Sequence, residues 1–360
     1  MTKLIPEASD RAWLDVDLAA LLRNAERFRE LIGAPLLPMV KADAYGLGAL
    51  AVVSALEAAD PWGYGVATPE EGVTLRAAGI SRPVIVFSPL QAAASDLYRS
   101  HDLRPVIGDL AALDAWSGRG DAPFHIEIDT GMSRSGFRWH DRESIVALAD
   151  RLDGMAGWEG VFTHFHSADV DEAASREQAS RFEAVLAVLP TRPPIVHLAS
   201  SAAAQLGTEF SADLARPGIF LYGGRAGGLD PEPVARLCAR VIALRRLRPG
   251  DTVSYGAEAE VEAETTIATL GIGYGDGVPR SLGGRGLVEL HGVLVPIVGR
   301  VTMDMIMVDV EDTPVSLGDV AILFGGLLTL DDQAALAGTI SYELLTILTP
   351  RVVRRYHTGK

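Results

Sequence analysis

Leu36-Leu37-Pro38-Met39-Val40-Lys41-Ala42-Asp43-Ala44-Tyr45-Gly46-Leu47-Gly48 reads as a short apolar strand that ends on a lysine and runs into a glycine-broken turn. The run opens a series of similar strands, so its reading sets the fold. A lysine directly after a buried apolar run sits where desolvation lowers an amine's pKa and makes it a better base or nucleophile. A lysine that snorkels from a strand end into water has the same local pattern, and the stretch alone leaves both readings standing.

Outward from it, residues 35 to 222 alternate short apolar runs with longer amphipathic or alanine-rich segments, the pattern of repeated βα units. Strand candidates fall at 36–41, 63–67, 83–87, 103–107, 124–129, 160–164, 195–199 and 213–216, with helices such as 49–59 and 176–189 between them. Eight parallel strands in this order close most economically into a (β/α)8 barrel. The alternative is an open doubly wound sheet, which carries a glycine-rich phosphate turn after its first strand, and none is there. Gly271-Ile272-Gly273-Tyr274-Gly275-Asp276-Gly277 is glycine-dense, but Asp276 stands where a dinucleotide fingerprint needs its last glycine, so it reads as a loop.

After Tyr222-Gly223-Gly224 the runs at 239–245, 262–272, 286–298 and 303–310 are short, β-rich and separated by Gly or Pro. The fold class is therefore α/β: a (β/α)8 barrel over residues 10–233 followed by an all-β domain over 234–360. The alternating run 11–17 reads as a strand that joins the β domain before a helix over 18–31 enters the barrel. A terminal helix over 341–348 is stopped by Pro350.

Composition narrows the partners. A chain of 360 residues with 48 % hydrophobic and 22 % charged residues is an ordinary globule of two-domain size. A net charge of -15 provides no broad basic surface for nucleic acid or an anionic membrane. Cys238 is the single cysteine and forms no intrachain disulfide, and the first seven residues lack the apolar core of a leader. No apolar run approaches the roughly 20 residues that span a bilayer. A cytoplasmic protein acting on a small molecule is the expectation.

A barrel places its site at the carboxyl ends of the strands, with phosphate favouring the loops after the seventh and eighth. After the seventh comes His197-Leu198-Ala199-Ser200-Ser201, two hydroxyls at what reads as a helix start, either an anion site or a plain N-cap. At the end of the eighth stands Arg216-Pro217-Gly218-Ile219, where Gly218 lets backbone amides approach an oxyanion.

Lys41-Ala42-Asp43-Ala44-Tyr45-Gly46-Leu47-Gly48 resembles the cofactor-lysine motif of alanine racemases, fold-type III pyridoxal 5'-phosphate (PLP) enzymes, and the resemblance recurs along nearly the whole chain. It implies that Lys41 holds PLP covalently. It implies phosphate contacts from Tyr45, Ser201, Gly218, Ile219 and Tyr356, with Arg216 facing the pyridine nitrogen. Val253-Ser254-Tyr255-Gly256-Ala257 resembles the family's tyrosine motif, which makes Tyr255 the second base, delivered into a partner's barrel by a head-to-tail homodimer. A phenol ordinarily has a pKa of about 10, and His164 would link Tyr255 to Arg216. Asp129-Thr130-Gly131-Met132-Ser133-Arg134 resembles the loop bearing a substrate-carboxylate arginine, a role that the planar fork of Arg134 fits. Gly299-Arg300-Val301-Thr302-Met303-Asp304 resembles the opposite wall, with Met303 near the substrate and Tyr274 and Asp304 narrowing the entrance. The implied activity is interconversion of L- and D-alanine, supplying D-alanine for peptidoglycan, with serine or another small amino acid as the alternative substrate.

Two positions depart from the family pattern. Glu127 stands where many relatives carry a carbamylated lysine, and is expected to hold Arg134 through its own carboxylate. Ser200 replaces an asparagine beside the phosphate serine. Other classes are weaker: His164 and His166 at i, i+2 with His197 resemble a metal hydrolase only faintly. A lone PLP-carrying barrel lacks the β domain, and Cys238 is poorly placed for the cysteine of a related decarboxylase.

Overall fold

The computed structural model describes residues 10–358 apart from 119, 208, 209 and 312. The first seven residues, read above for a leader, lie outside the described residues. Strand β1 (Ala12–Asp17) runs straight into the helix Leu18–Ile32, whose N-cap Asp17 accepts from the amides of Ala19 and Ala20.

The barrel follows: β2 (Tyr64–Val66), β3 (Val84–Pro89), β4 (Leu103–Ile107), β5 (Phe124–Asp129), a two-residue β6 (Phe137–Arg138) beside β5, β7 (Trp158–Phe162) and β8 (Ile195–His197). The long strands pair in parallel in sequence order. The expected first and last strands, 36–41 and 213–216, are not continuous strands. They close the ring through single parallel bridges, Leu36 to Ala215, Met39 to Gly65 and Ser200 to Arg216. The reason is chemical: Pro35, Pro38 and Pro217 have no N–H to give a ladder, and only alternate amides such as Leu37 N to Ala215 O (2.7 Å) remain. Leu37, Ile85, Val106, Phe162 and Leu214, each from a different stave, fill the barrel interior.

The second domain is β throughout its frame: β9 (Ala235–Leu247), β10 (Thr252–Val253), β11 (Ala259–Glu260), β12 (Thr265–Leu270), β13 (Leu287–Leu290), β14 (Val293–Val298), β15 (Ile306–Asp309), β16 (Val320–Phe324) and β17 (Val353–His357). The long β9 pairs antiparallel with β1, β12 and β16, so one strand closes a six-stranded ring and carries β1 and β17 outside it. β1 lies between β9 and β17 in this sheet. The helix Leu330–Ala337 and strands β6, β10, β11, β16 and β17 lie outside the expected runs, whereas the terminal helix is Ser341–Thr346, a turn shorter at most than expected. No helix among the described residues is long and apolar enough to cross a membrane.

Candidate active site

Lys41 does not end a strand. It opens a turn in which Ala42, Asp43, Ala44 and Tyr45 all have positive φ, between 53° and 56°. Left-handed backbone costs an L-residue roughly 1–2 kcal/mol per residue, so four in succession persist only where neighbours impose them. The neighbours are identifiable: the Ala42 amide donates to Glu71 Oε1 and the Ala49 amide to Asp43 Oδ1, both at 2.7 Å. From the second domain, Arg354 Nε donates to Gly46 O and the Tyr356 hydroxyl to Leu47 O, both at 2.9 Å. A Cβ on Gly46 would lie 2.4 Å from Leu345 O, so the glycine lets the two domains meet behind the lysine.

The turn aims Lys41 into a cavity of about 460 Å³ at the carboxyl end of the barrel, a size suited to one small ligand. Lys41, Tyr45, Arg134, His164, Ser200, Ser201, Arg216, Gly218 and Ile219 all line it. Burial first, then the Arg134 charge, lower the Lys41 pKa against the opposing pull of Glu71. Gly218 sits against the Tyr45 hydroxyl, 2.4 Å from where a Cβ would be. Its amide donates to Ser201 Oγ at 2.8 Å, so Ser201 ties the seventh and eighth loops together rather than capping the turn that follows it. Ile219 opens the 3-10 turn Ile219–Tyr222, which leaves its amide without an intrahelical acceptor.

Arg216 is fully buried, and its terminal nitrogens are spent on protein. Nη1 donates to His197 Nδ1 (2.8 Å) and His197 O (2.9 Å), and Nη2 to Thr163 O (2.8 Å) and Leu198 O (3.0 Å), with His164 Nδ1 at 3.4 Å. Among the described residues only its Nε–H lacks a protein acceptor. Burial lowers its pKa to about 9, still above neutral, so it stays a cation and a pure donor. Burial and the Arg216 charge bring His164 down to about 3, which keeps that imidazole neutral. A lysine amine, phenol and serine hydroxyls, an open amide and one spare guanidinium N–H fit a planar cofactor with a phosphate tail.

Other expected residues lie elsewhere. Tyr356 does not line the cavity: its hydroxyl is committed to Leu47 O, because β17 runs behind the lysine turn and not beside the eighth loop. Besides Tyr45, the tyrosine at the cavity is Tyr342, from the helix Ser341–Thr346, with Ile340, Glu343 and Thr346 beside it. Its ring lies 6.0 Å from that of Tyr45, and burial pushes its phenol up to about 12. No local sequence signal sets Tyr342 apart from Tyr356. Glu127 does not pair with Arg134. It is buried beneath the loop and accepts from Ser135 Oγ at 2.7 Å, holding the neighbour of Arg134 and not the arginine itself. Desolvation raises its pKa, partly offset by Ser135 and the Arg134 and Arg216 charges.

Tyr255, Tyr274, Met303 and Asp304 are absent from the lining of this chain's cavity. They form one face of the β domain: Tyr274 N donates to Thr302 O at 2.9 Å, Gly275 N to Met303 O at 2.8 Å, and Ser254 Oγ to Arg300 O at 3.0 Å. Tyr255 is 72 % exposed, Met303 51 % and Tyr274 41 %. His166 points away from His164 and pairs with Ser167 Oγ at 2.7 Å, and His164 and His197 both serve Arg216.

A barrel with a desolvated lysine and a phosphate-sized donor set at its mouth, followed by a β domain that presents an exposed tyrosine, defines a lysine-dependent cofactor enzyme of two domains. Residues 16–226 match the model of the alanine racemase N-terminal domain and residues 234–356 that of its C-terminal domain. The chain is 40 % identical to the alanine racemase of Deinococcus radiodurans over 96 % of this chain and 99 % of that one, and 36 % identical to that of Halothermothrix orenii over 96 % of each. The crystal structure of alanine racemase from Bartonella henselae with covalently bound pyridoxal phosphate superimposes with a TM-score of 0.91 at 30 % identity, covering 96 % of this chain and 99 % of that one. The chain belongs to the alanine racemase family.

Proposed function

We propose that this chain interconverts L- and D-alanine with PLP on Lys41, in the cytoplasm, as a head-to-tail homodimer whose sites are shared. The observation that supports this most strongly is one cavity holding a depressed-pKa lysine, a phosphate-type donor set and an arginine with a single spare N–H. PLP bound there supplies the electron sink that makes an amino acid's α-hydrogen removable. Lys41 serves as one base, and Tyr255 of a second copy as the other, on the opposite face of the α-carbon. Arg216 donates to the cofactor ring without giving up a proton, Tyr45, Tyr342, Ser201 and Ile219 hold the phosphate, and Arg134 meets the substrate carboxylate. Feeding L-alanine in deuterated water and following chiral product tests the reading. Deuterium at the α-carbon with approach to a racemate is expected; a colourless protein that leaves L-alanine unchanged would remove it.

The two tyrosines separate cleanly. Tyr342→Phe should weaken PLP binding by about tenfold or more, since it deletes a hydrogen bond to a charged group, while Tyr356→Phe should change it less than about threefold. Dialysis followed by absorbance reads both. Glu127→Gln should raise the KM for alanine about fivefold with kcat nearly constant, because Ser135 then donates to a neutral acceptor, a difference of about 1 kcal/mol. The sign of the pH effect follows from the raised pKa: as pH falls through it, Glu127 gains a proton and the wild-type KM should rise toward that of Glu127→Gln, whose own KM should not share that inflection.

A further inference from the structure

Behind Arg216 a line of buried polar side chains runs down the barrel axis toward its amino-terminal end. His197 Nε2 lies 2.9 Å from His125 Nδ1, His125 Nε2 lies 3.1 Å from Glu159 Oε2, and Arg104 Nε donates to the same oxygen at 2.7 Å. Both imidazoles are fully buried, whereas the Glu159 side chain keeps 21 % of its surface, so the line joins the cavity to the opposite mouth of the barrel. Room for it is built in: a Cβ at Gly160 would lie 2.3 Å from His125 Nδ1.

The two ends leave one arrangement of hydrogens. Arg216 has no acceptor, so His197 Nδ1 must be bare and the His197 proton sits on Nε2. That N–H points at His125 Nδ1, which must therefore be bare, and the His125 proton on Nε2 meets the Glu159 carboxylate. Reversing the line sets two donors against each other at Arg216 and two acceptors at Glu159. Protonating either ring removes an acceptor that the line requires. Aligned bonds in a low-dielectric interior also polarise one another.

Resting on the reading of Arg216 as the donor to the cofactor ring, we propose that Glu159 and His125 are positioning residues for Arg216: a one-way hydrogen-bond line from the far end of the barrel fixes His197 as an acceptor, and so fixes which guanidinium N–H is left for the cofactor. The essential feature at the far end is an acceptor, and a negative charge there is secondary. Without it, His125 is free to turn its tautomer, His197 follows, and a donor then faces Arg216 Nη1.

Imidazole ¹⁵N NMR on the uniformly labelled wild-type holoenzyme tests the tautomers without any substitution. A coupling across the Nε2–H···Nδ1 bond picks this pair out of the eight histidines. Two neutral rings, each protonated at Nε2 from pH 6 to 9, are expected; an imidazolium or an Nδ1–H form at either ring overturns the proposal. Glu159→Gln, which keeps an acceptor, should leave kcat within about threefold and the visible spectrum of bound PLP unchanged. Glu159→Leu should lower kcat about tenfold or more, with a shifted spectrum and little change in KM. Equal losses in both variants, or none in either, would also overturn it. Should Glu159→Leu fail to fold, the NMR result and Glu159→Gln still decide. Failure of the racemase reading would look different, since a protein without racemisation can still display these tautomers in its PLP-free form.

Discussion

Lys41→Ala should abolish racemisation, lowering kcat by about 10⁴-fold or more, because in the proposed reaction one side chain carries both the covalent attachment and a proton-transfer role. Loss on this scale sets Lys41 apart from every other residue lining the cavity. Borohydride reduction followed by peptide mapping should attach a pyridoxyl group at position 41 in the wild-type protein and nowhere in the variant. The fold should survive. The folded-state pKa of Lys41 is lowered, so holding it charged costs stability at any pH below that value, and the cost is relieved as pH rises toward the ordinary lysine value of about 10.4. Alanine removes that cost, and at neutral pH the PLP-free variant should melt no lower than the PLP-free wild type. A clear fall in melting temperature would mean that Lys41 supports the left-handed turn and is not merely displayed by it.

Tyr255→Phe should cut racemisation by about 10²- to 10⁴-fold, the range for losing a general acid–base group. The loss should have a direction. With Lys41 intact, one enantiomer of alanine should still exchange its α-hydrogen with solvent from the lysine's face while its mirror image does not. Proton NMR in deuterated water distinguishes the two. Loss of exchange from both enantiomers would show that Tyr255 supports the site as a whole and does not serve one face. The exposed setting of Tyr255, on a surface shared with Met303 and Tyr274, is what makes the second copy necessary to the account.

Much of this was legible in the sequence, for reasons that can be named. Period and spacing gave the barrel because parallel staves buried on both faces are short apolar runs between amphipathic helices. They misjudged the first and last staves because proline deletes the ladder bonds that define a strand, although Leu36 and Met39 still close the ring. The lysine motif located one wall of the site. Tyr356 was expected at the cavity and Tyr342 lies there instead, since nothing local says which of two aromatics near the carboxyl terminus folds back over the barrel mouth. β5 carries a further signal in its sequence. His125, Glu127 and Asp129 alternate with apolar residues as if facing water, yet all three are buried. In a barrel that polar face can only point inward, which marks the hydrogen-bond line behind Arg216 and the support beneath the Arg134 loop.

In the proposed dimer each site draws Lys41 from one chain and Tyr255 from the other. Unfolding and refolding an equal mixture of Lys41→Ala and Tyr255→Phe chains tests it, since each mixed dimer would then contain one site with both bases and one with neither. Two nearly inactive preparations should recover about a quarter of wild-type activity, half the dimers being mixed with one working site each. A mixture that forms mixed dimers and stays as inactive as its parents would contradict it.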